Sequence, residues 1–204
     1  MYQKYIKRTF DFILSLLGII VLSPTLLVIC IAIKIDSKGP IVFKQKRVGK
    51  DKVYFNIYKF RTMKSDTPKE MPTHLLKDPN LFITRVGKFL RKTSLDELPQ
   101  LFNILKGDMA VIGPRPALWN QDDLIAEREK YGANDIQPGL TGLAQISGRD
   151  ELEIPIKAQL DGKYTRNIGF KMDVKCFIGT VLSIIKSDGV VEGDTGKKKK
   201  ADDK

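Results

Sequence analysis

Histidine, tryptophan and cysteine are nearly absent: one His, one Trp and two Cys in 204 residues. The lone His74 has no partner pattern around it and reads as a surface residue. Cys30 and Cys176 both lie in apolar runs, with neither CxxC metal spacing nor a disulfide framework. Reduced, buried thiols are expected, which suits a cytoplasmic face. There is no P-loop and no GxGxxG, which excludes those two glycine-rich phosphate cradles. No internal repeat is present. Basic residues mix with aromatics over residues 52–61. The glycine–aromatic signature of an RRM is missing, however, so no nucleic-acid partner is expected.

Acidic residues are also short. Lys and Arg number 35 against 24 Asp and Glu, a net charge of +11. Residues 190–204 hold five Lys against four acids, so +10 of that excess belongs to residues 1–189. The folded part is itself basic, and basic surfaces attract phosphates on lipids, nucleotides or nucleic acid.

What the chain does have is a long apolar run. Residues 12–33 contain no charge, 22 positions or about 33 Å of straight helix. That is long enough to cross a bilayer. A cleaved signal peptide fits poorly, because the run is too long and no small-x-small site follows it. Ser23-Pro24 stands at its centre, where proline removes a helical hydrogen bond and bends or breaks the helix. Lys4, Lys7 and Arg8 precede the run, and Lys34, Lys38, Lys44, Lys46 and Arg47 follow it. Positive charge favours the cytoplasmic side, so both ends are drawn to one side. A re-entrant helix satisfies that pull; a kinked single span and a buried core helix are the alternatives. Ser23 and Thr25 hydroxyls are available to the backbone groups freed at the bend.

Beyond Gly39-Pro40, residues 40–48 and 53–60 read as two strands joined by Gly49-Lys50-Asp51-Lys52. Residues 65–79 read as a loop, 83–92 as a short basic helix and 95–106 as an amphipathic helix stopped by Gly107. Residues 109–112 read as a short strand and 121–131 as a charged helix. A turn-rich region covers 137–149. Helices are expected over 151–164, with Pro155 near the start, and over 173–187. The last of these can lie among lipid headgroups or pack on the core. Residues 193–204 are low-complexity and expected to be disordered. Three parts follow: 1–38 as the membrane helix, 39–189 as the catalytic domain and 190–204 as a basic tail. The fold class is α+β and mostly helical, with a small β-hairpin.

The chemistry concentrates in Thr93-Ser94-Leu95-Asp96-Glu97-Leu98-Pro99-Gln100. Adjacent carboxylates at a helix start can act as nucleophile, proton handler or metal ligand. Ser94-x-x-Glu97 is also a capping box, which would give Glu97 a purely structural job. Arg91 and Lys92 beside the pair would lower carboxylate pKa values and gather phosphate and Mg²⁺. Gly113-Pro114-Arg115-Pro116 holds an arginine on a stiff backbone, suited to bidentate phosphate recognition, with a rigid turn whose Arg makes a surface ion pair as the alternative. Lys59, Arg61 and Arg149 are further phosphate candidates, each with a surface role as the alternative.

These motifs resemble the bacterial sugar transferases, the monotopic phosphoglycosyl transferases. The resemblance covers nearly all of residues 1–189. It rests on the basic-apolar start with Ser23-Pro24, Lys59-Phe60-Arg61-Thr62-Met63, and the run from Leu90 through Gln100. Gly107-Asp108-Met109, Gly113-Pro114-Arg115-Pro116, and Pro138-Gly139-Leu140-Thr141-Gly142 with Gly148-Arg149 complete it. The resemblance implies a re-entrant helix broken at Ser23-Pro24, seated in the bacterial inner membrane and facing the cytoplasm. It implies transfer of a phosphosugar from a UDP-sugar to undecaprenyl phosphate, with UMP leaving. It assigns Asp96 as nucleophile and Mg²⁺ ligand, and Glu97 as the residue that takes a proton from, or orients, the lipid phosphate. Arg91 and Arg115 would bind phosphate. The implied partners are membrane lipid, with self-association or downstream glycosyltransferases as further expectations.

Two departures stand out. Leu143 occupies a position where many members carry Trp. The chain also lacks the large N-terminal membrane region of longer members, so a minimal form is expected. Residues 117–124 and 188–193 look like capsule or exopolysaccharide branches, which points to an N-acetylated sugar, with 6-deoxy and ordinary forms both open. A membrane-anchored scaffold for anionic lipid or nucleic acid is the rival outside enzymes. Direct ternary-complex transfer is the rival within them.

Overall fold

A computed structural model describes residues 1–65, 67, 81–148 and 152–186, without the side chains of 184–186. Arg149, the loop at 68–80 and the tail from 187 therefore lie outside the described residues.

A π-helical turn, Tyr2–Lys7, leads into helix α1, Arg8–Asp36. It is long and apolar enough to cross a membrane. The expected break at Ser23-Pro24 is not an interruption: α1 stays helical through Pro24. The reason is local. Pro24 cannot donate to the Ile20 carbonyl four residues back, and the Ser23 hydroxyl donates to that carbonyl instead, at 2.8 Å. One stripe of α1, including Asp11, Ser15, Ile29 and Ile33, is buried against the domain. Other faces leave Phe10, Leu17, Ile20, Val21, Leu27 and Ile31 exposed. An apolar helix so exposed is suited to lipid.

Both ends of α1 are tied to the same domain. At its start, the Arg8 guanidinium donates to the carbonyls of Ile104 (2.6 Å) and Leu105 (2.9 Å). At its end, Arg61 donates to the carbonyls of Ser37 (2.7 Å) and Lys38 (3.0 Å). Each arginine supplies charge and donors where helix carbonyls run out of partners.

Strands β1 (Val42–Val48) and β2 (Tyr54–Phe60) form the expected antiparallel hairpin, with Phe43 opposite Lys59 and Arg47 opposite Phe55. Helix α2, Arg85–Lys92, is capped by the Thr84 hydroxyl, which accepts from Gly87 N–H at 3.0 Å. The single helix expected over 95–106 is two pieces: a 3₁₀ turn, Leu95–Glu97, and α3, Gln100–Lys106. Ser94 enters the turn in the left-handed region (φ 56°), and Pro99, which has no N–H to give, separates the pieces.

Strand β3, Ala110–Ile112, pairs in parallel with β4, Gly139–Thr141. The second of these overturns the expectation of a turn-rich loop there. Close approach explains the glycines: a Cβ on Gly139 or Gly142 would collide with the backbone of Gly113. Helices α4 (Asp122–Glu129), α5 (Leu143–Ile146), α6 (Ile154–Arg166, with Pro155 in its first turn) and α7 (Phe170–Lys186) complete the domain. The buried Arg128–Asp161 pair, at 2.6 Å, joins α4 to α6. One core cluster, including Ile112, Leu143, Tyr164 and Cys176, lies under α6 and α7; another, Ile29, Ile33, Phe60 and Leu90, joins α1 to β2 and α2. The fold is thus the expected mixture of helices with a small hairpin.

Candidate active site

The site starts from the free edge of β2. Asn103 of α3 accepts from Tyr58 N–H (2.9 Å) and donates to the Asn56 carbonyl (2.8 Å). This clips α3, and the 3₁₀ turn before it, along the strand that carries Lys59. Leu95 and Leu98 pack on the cluster around Phe60 and Leu90. Residues three apart in a 3₁₀ turn share a side, so Asp96 and Glu97 are presented away from that apolar floor.

Glu97 is held by two cations from distant parts of the chain. Lys59 Nζ is 2.7 Å from Glu97 Oε1, and the Arg115 fork takes both carboxylate oxygens, Nη1 at 3.3 Å from Oε2 and Nη2 on Oε1. Such bidentate, charge-assisted pairs are the strong ones. The capping box is therefore not formed: Ser94 makes no side-chain cap, and Glu97 points to Lys59 and Arg115. Burial alone would raise the Glu97 pKa, but Arg115 and then Lys59 outweigh it and hold the carboxyl far below the usual range.

Asp96 is different. Its Oδ2 stands 4.0 Å from Lys59 Nζ. Burial pushes its pKa up; Lys59 opposes that, the Glu97 charge adds to it, and Arg91 and Arg115 oppose it more weakly. Two adjacent carboxylates thus have opposite environments. One is held close by two cations, and the other stands 4.0 Å from Lys59.

The Arg115 loop is pinned on both sides. Gly139 N–H donates to the Pro114 carbonyl (2.8 Å) and Gly113 N–H to the Thr141 carbonyl (2.8 Å). From the hairpin, Arg47 Nη1 donates to the Pro116 carbonyl (3.0 Å) and Val48 N–H to the Ala117 carbonyl (3.0 Å). Arg91 is oriented by its Nε, which donates to the Thr62 hydroxyl at 2.9 Å. Arg47, Lys59, Arg91 and Arg115 therefore gather around two carboxylates.

Of the predicted site residues, Lys59, Arg91, Asp96, Glu97 and Arg115 come together. Arg61 does not. The residue is buried (6% exposed) and its guanidinium donates to the carbonyls at the end of α1, apart from the cations around Asp96 and Glu97. Ser23 and Pro24 lie in α1, and Arg149 is outside the described residues. Sequence reading missed Arg47. Burial, then repulsion from Arg115, lowers its pKa to about 10, with Glu97 opposing. Strand alternation could have found it, because Arg47 and Lys59 fall on the same face of the hairpin.

Among the described residues, no three His, Cys, Asp or Glu side chains gather as a metal cage. The donor set does suit Mg²⁺, which binds through one or two carboxylates plus substrate phosphates and water. Glu97 is engaged by Arg115 and Lys59, so Asp96 is the carboxylate that would hold the ion.

The family model described as bacterial sugar transferase matches residues 2–187. An undecaprenyl-phosphate glucose phosphotransferase of Komagataeibacter xylinus is 39% identical, over 86% of this chain and 35% of that protein. A UDP-N-acetylgalactosamine-undecaprenyl-phosphate N-acetylgalactosaminephosphotransferase of Aeromonas hydrophila is 37% identical, over 91% of this chain and 45% of that protein. The exopolysaccharide production protein PSS of Rhizobium leguminosarum bv. phaseoli is 40% identical, over 87% of this chain and 94% of that protein. The chain spans less than half the length of the first curated relatives it matches, and nearly all of the last.

Proposed function

We propose, for a chain that belongs to the bacterial sugar transferase family, that it moves a phosphosugar from a UDP-sugar to undecaprenyl phosphate by way of Asp96. The observation that carries this reading is the unequal treatment of the two carboxylates. Arg115 and Lys59 neutralise Glu97, while Asp96 stands beside them with its charge destabilised by burial. A carboxylate so placed is a competent nucleophile toward an activated phosphoryl group.

In the first step, an Asp96 oxygen forms a bond to the phosphorus that bears the sugar. The bond from that phosphorus to the UMP oxygen breaks, and UMP leaves with the electron pair. In the second step, a phosphate oxygen of undecaprenyl phosphate attacks the same phosphorus and Asp96 leaves as a carboxylate. Arg91, Arg115 and Lys59 offset the negative charge that each step concentrates. Bound Mg²⁺ would supply further neutralisation of the diphosphate. Arg115 and Lys59 hold Glu97 in its ionised form, and through them it orients the incoming lipid phosphate. A ping-pong route also spares the site from holding two anionic substrates at once.

The setting of α1 supports a monotopic, cytoplasm-facing protein. Both its ends are bonded to one domain, at Arg8 and at Arg61, and both flanks are basic. A helix that crossed the bilayer would put those ends on opposite sides. A re-entrant course would return both ends to the cytoplasmic face and bring Asp96 near headgroup height. UDP-N-acetyl sugars, 6-deoxy forms included, are the donor class to test first. One relative is named for an N-acetylated donor and another for glucose, so the panel includes UDP-glucose.

The test is UMP release with Mg²⁺ and undecaprenyl phosphate, for wild type and Asp96→Asn. Without acceptor, the wild type should gain the mass of one phosphosugar and the variant none. Equal UMP release by both proteins sinks the covalent route. No release from a folded, membrane-bound wild type favours a binding or scaffold role.

A further inference from the structure

Five polar side chains that the chemistry above does not use meet in a knot at the start of α1. The Asp173 carboxylate of α7 accepts from the Tyr2 hydroxyl (2.8 Å) and from the Tyr164 hydroxyl of α6 (2.6 Å), and pairs with Lys7 at 3.0 Å. Lys7 faces Asp11 at 3.9 Å. Lys7, Asp11 and Tyr164 are all buried. Buried ion pairs are a poor source of stability, since desolvation offsets much of their attraction. They do fix geometry.

Two members of the knot reach one strand. Asp11 Oδ1 accepts the Val111 N–H at 2.9 Å, and the Tyr164 hydroxyl stands 3.1 Å from the Ile112 carbonyl. Strand β3 ends at Ile112, and the chain runs through Gly113-Pro114 directly to Arg115. Pro114 limits the slack in that connection. A second tie comes from α7, where the Thr180 hydroxyl lies 2.7 Å from that of Thr141, on the strand paired with β3. The outward side of α7 is apolar and exposed at Phe170, Phe177, Ile178 and Leu182. Two lipid-suited helices therefore hold the strand that aims Arg115.

We propose that Asp11 and Tyr164 are positioning residues for Arg115, so that the seating of α1 and α7 decides where its guanidinium stands over Glu97. This rests on the phosphosugar-transfer reading.

A double-mutant cycle tests it with the full, membrane-bound chain, using UMP release from the UDP-sugar that the wild type consumes. Asp11→Ala should lower kcat/KM by up to about a hundredfold, the scale of a small misplacement of a catalytic group. Asp11→Asn, which keeps an acceptor for Val111 N–H, should recover most of that loss. In an Arg115→Lys background, where the fork on Glu97 is already lost, Asp11→Ala should cost only a few-fold, because coupled residues are not additive. Tyr164→Phe runs the same cycle where Asp11→Ala does not fold. UMP release by the wild type secures the underlying reading. With that secured, an equal cost in both backgrounds overturns the inference alone. So does a loss that Asp11→Asn does not rescue.

Discussion

Arg115 and Glu97 meet fork to fork across 18 positions of sequence, both guanidinium amino groups reaching the carboxylate. This contact separates the titration of the two neighbouring acids. With Arg115 present, Glu97 stays ionised far into acid, while burial keeps Asp96 above the ordinary aspartate value. The acid limb of kcat/KM should then report Asp96 alone, with a slope of about one.

Replacing Arg115 by Gln removes the largest influence that holds Glu97 down, so its pKa rises and a second ionisation enters the same pH range. The limb should steepen toward a slope of about two, and kcat/KM at neutral pH should fall by roughly 10²–10³. The stability sign follows as well. A carboxyl depressed in the folded state contributes stability above its unfolded pKa, and that contribution is lost as pH falls through the folded one. Arg115→Gln should therefore flatten the acid side of the stability profile. An unchanged slope with intact activity would refute this assignment.

Arg61 should behave as a structural residue. Its guanidinium closes the end of α1 through the Ser37 and Lys38 carbonyls and the Ser37 hydroxyl. Arg61→Met should cost about 2–3 kcal/mol, the scale of buried hydrogen bonds to a charged group. The KM for the UDP-sugar should stay the same per folded molecule. Proteolytic susceptibility and initial rates measure the two separately. A tenfold rise in KM without loss of stability would return Arg61 to the phosphate site.

The contrast between these arginines marks how far sequence reaches. The hairpin was legible from alternation around Gly49-Lys50-Asp51-Lys52, and the adjacency of Asp96 and Glu97 flagged the chemistry. Lys59 and Arg61 looked equivalent, since both stand at the end of a strand. Strand β2 ends at Phe60, however, so the alternation stops and Arg61 turns toward α1. The capping box was equally ambiguous, because Glu97 was claimed by Lys59 and Arg115 from 38 and 18 positions away. Strand β4 was hidden by its own composition. Glycine and proline normally punctuate turns, and only the approach of Gly113 explains why Gly139 belongs in a strand.

Pro24 should control the course of α1. Pro24→Ala restores a donor for the Ile20 carbonyl and removes a residue that costs about 3 kcal/mol inside a helix. The variant should shift part of the population toward a straight span. Gln3→Cys and, separately, Lys50→Cys can be labelled with an impermeant maleimide on vesicles of known orientation. In the wild-type background, both sites should label from the cytoplasmic face. In Pro24→Ala, a fraction of Gln3→Cys should label from the other side. Wild-type labelling of Gln3→Cys from the far side alone would sink the re-entrant reading.

Gly87 tests how Arg91 is aimed. Helix α2 approaches Thr62 so closely that a Cβ on Gly87 would collide with the Thr62 carbonyl and Cα, which are backbone atoms that cannot swing aside. The same Thr62 accepts from Arg91 Nε at 2.9 Å, and Arg91 is one of the cations that lower the Asp96 pKa. Gly87→Ala must push α2 off Thr62, at a cost of about 1–3 kcal/mol or more. Arg91 then retreats from Asp96, whose pKa rises further, so the acid limb of kcat/KM should move to higher pH. Gly18→Ala is the control. Its Cβ would meet only the Leu101 side chain, at 3.3 Å, where a methyl can rotate away. A melting curve and a pH–rate profile for each variant decide the matter. Equal stability of the two variants, with the limb unmoved, would mean that α2 does not set Arg91 through Thr62.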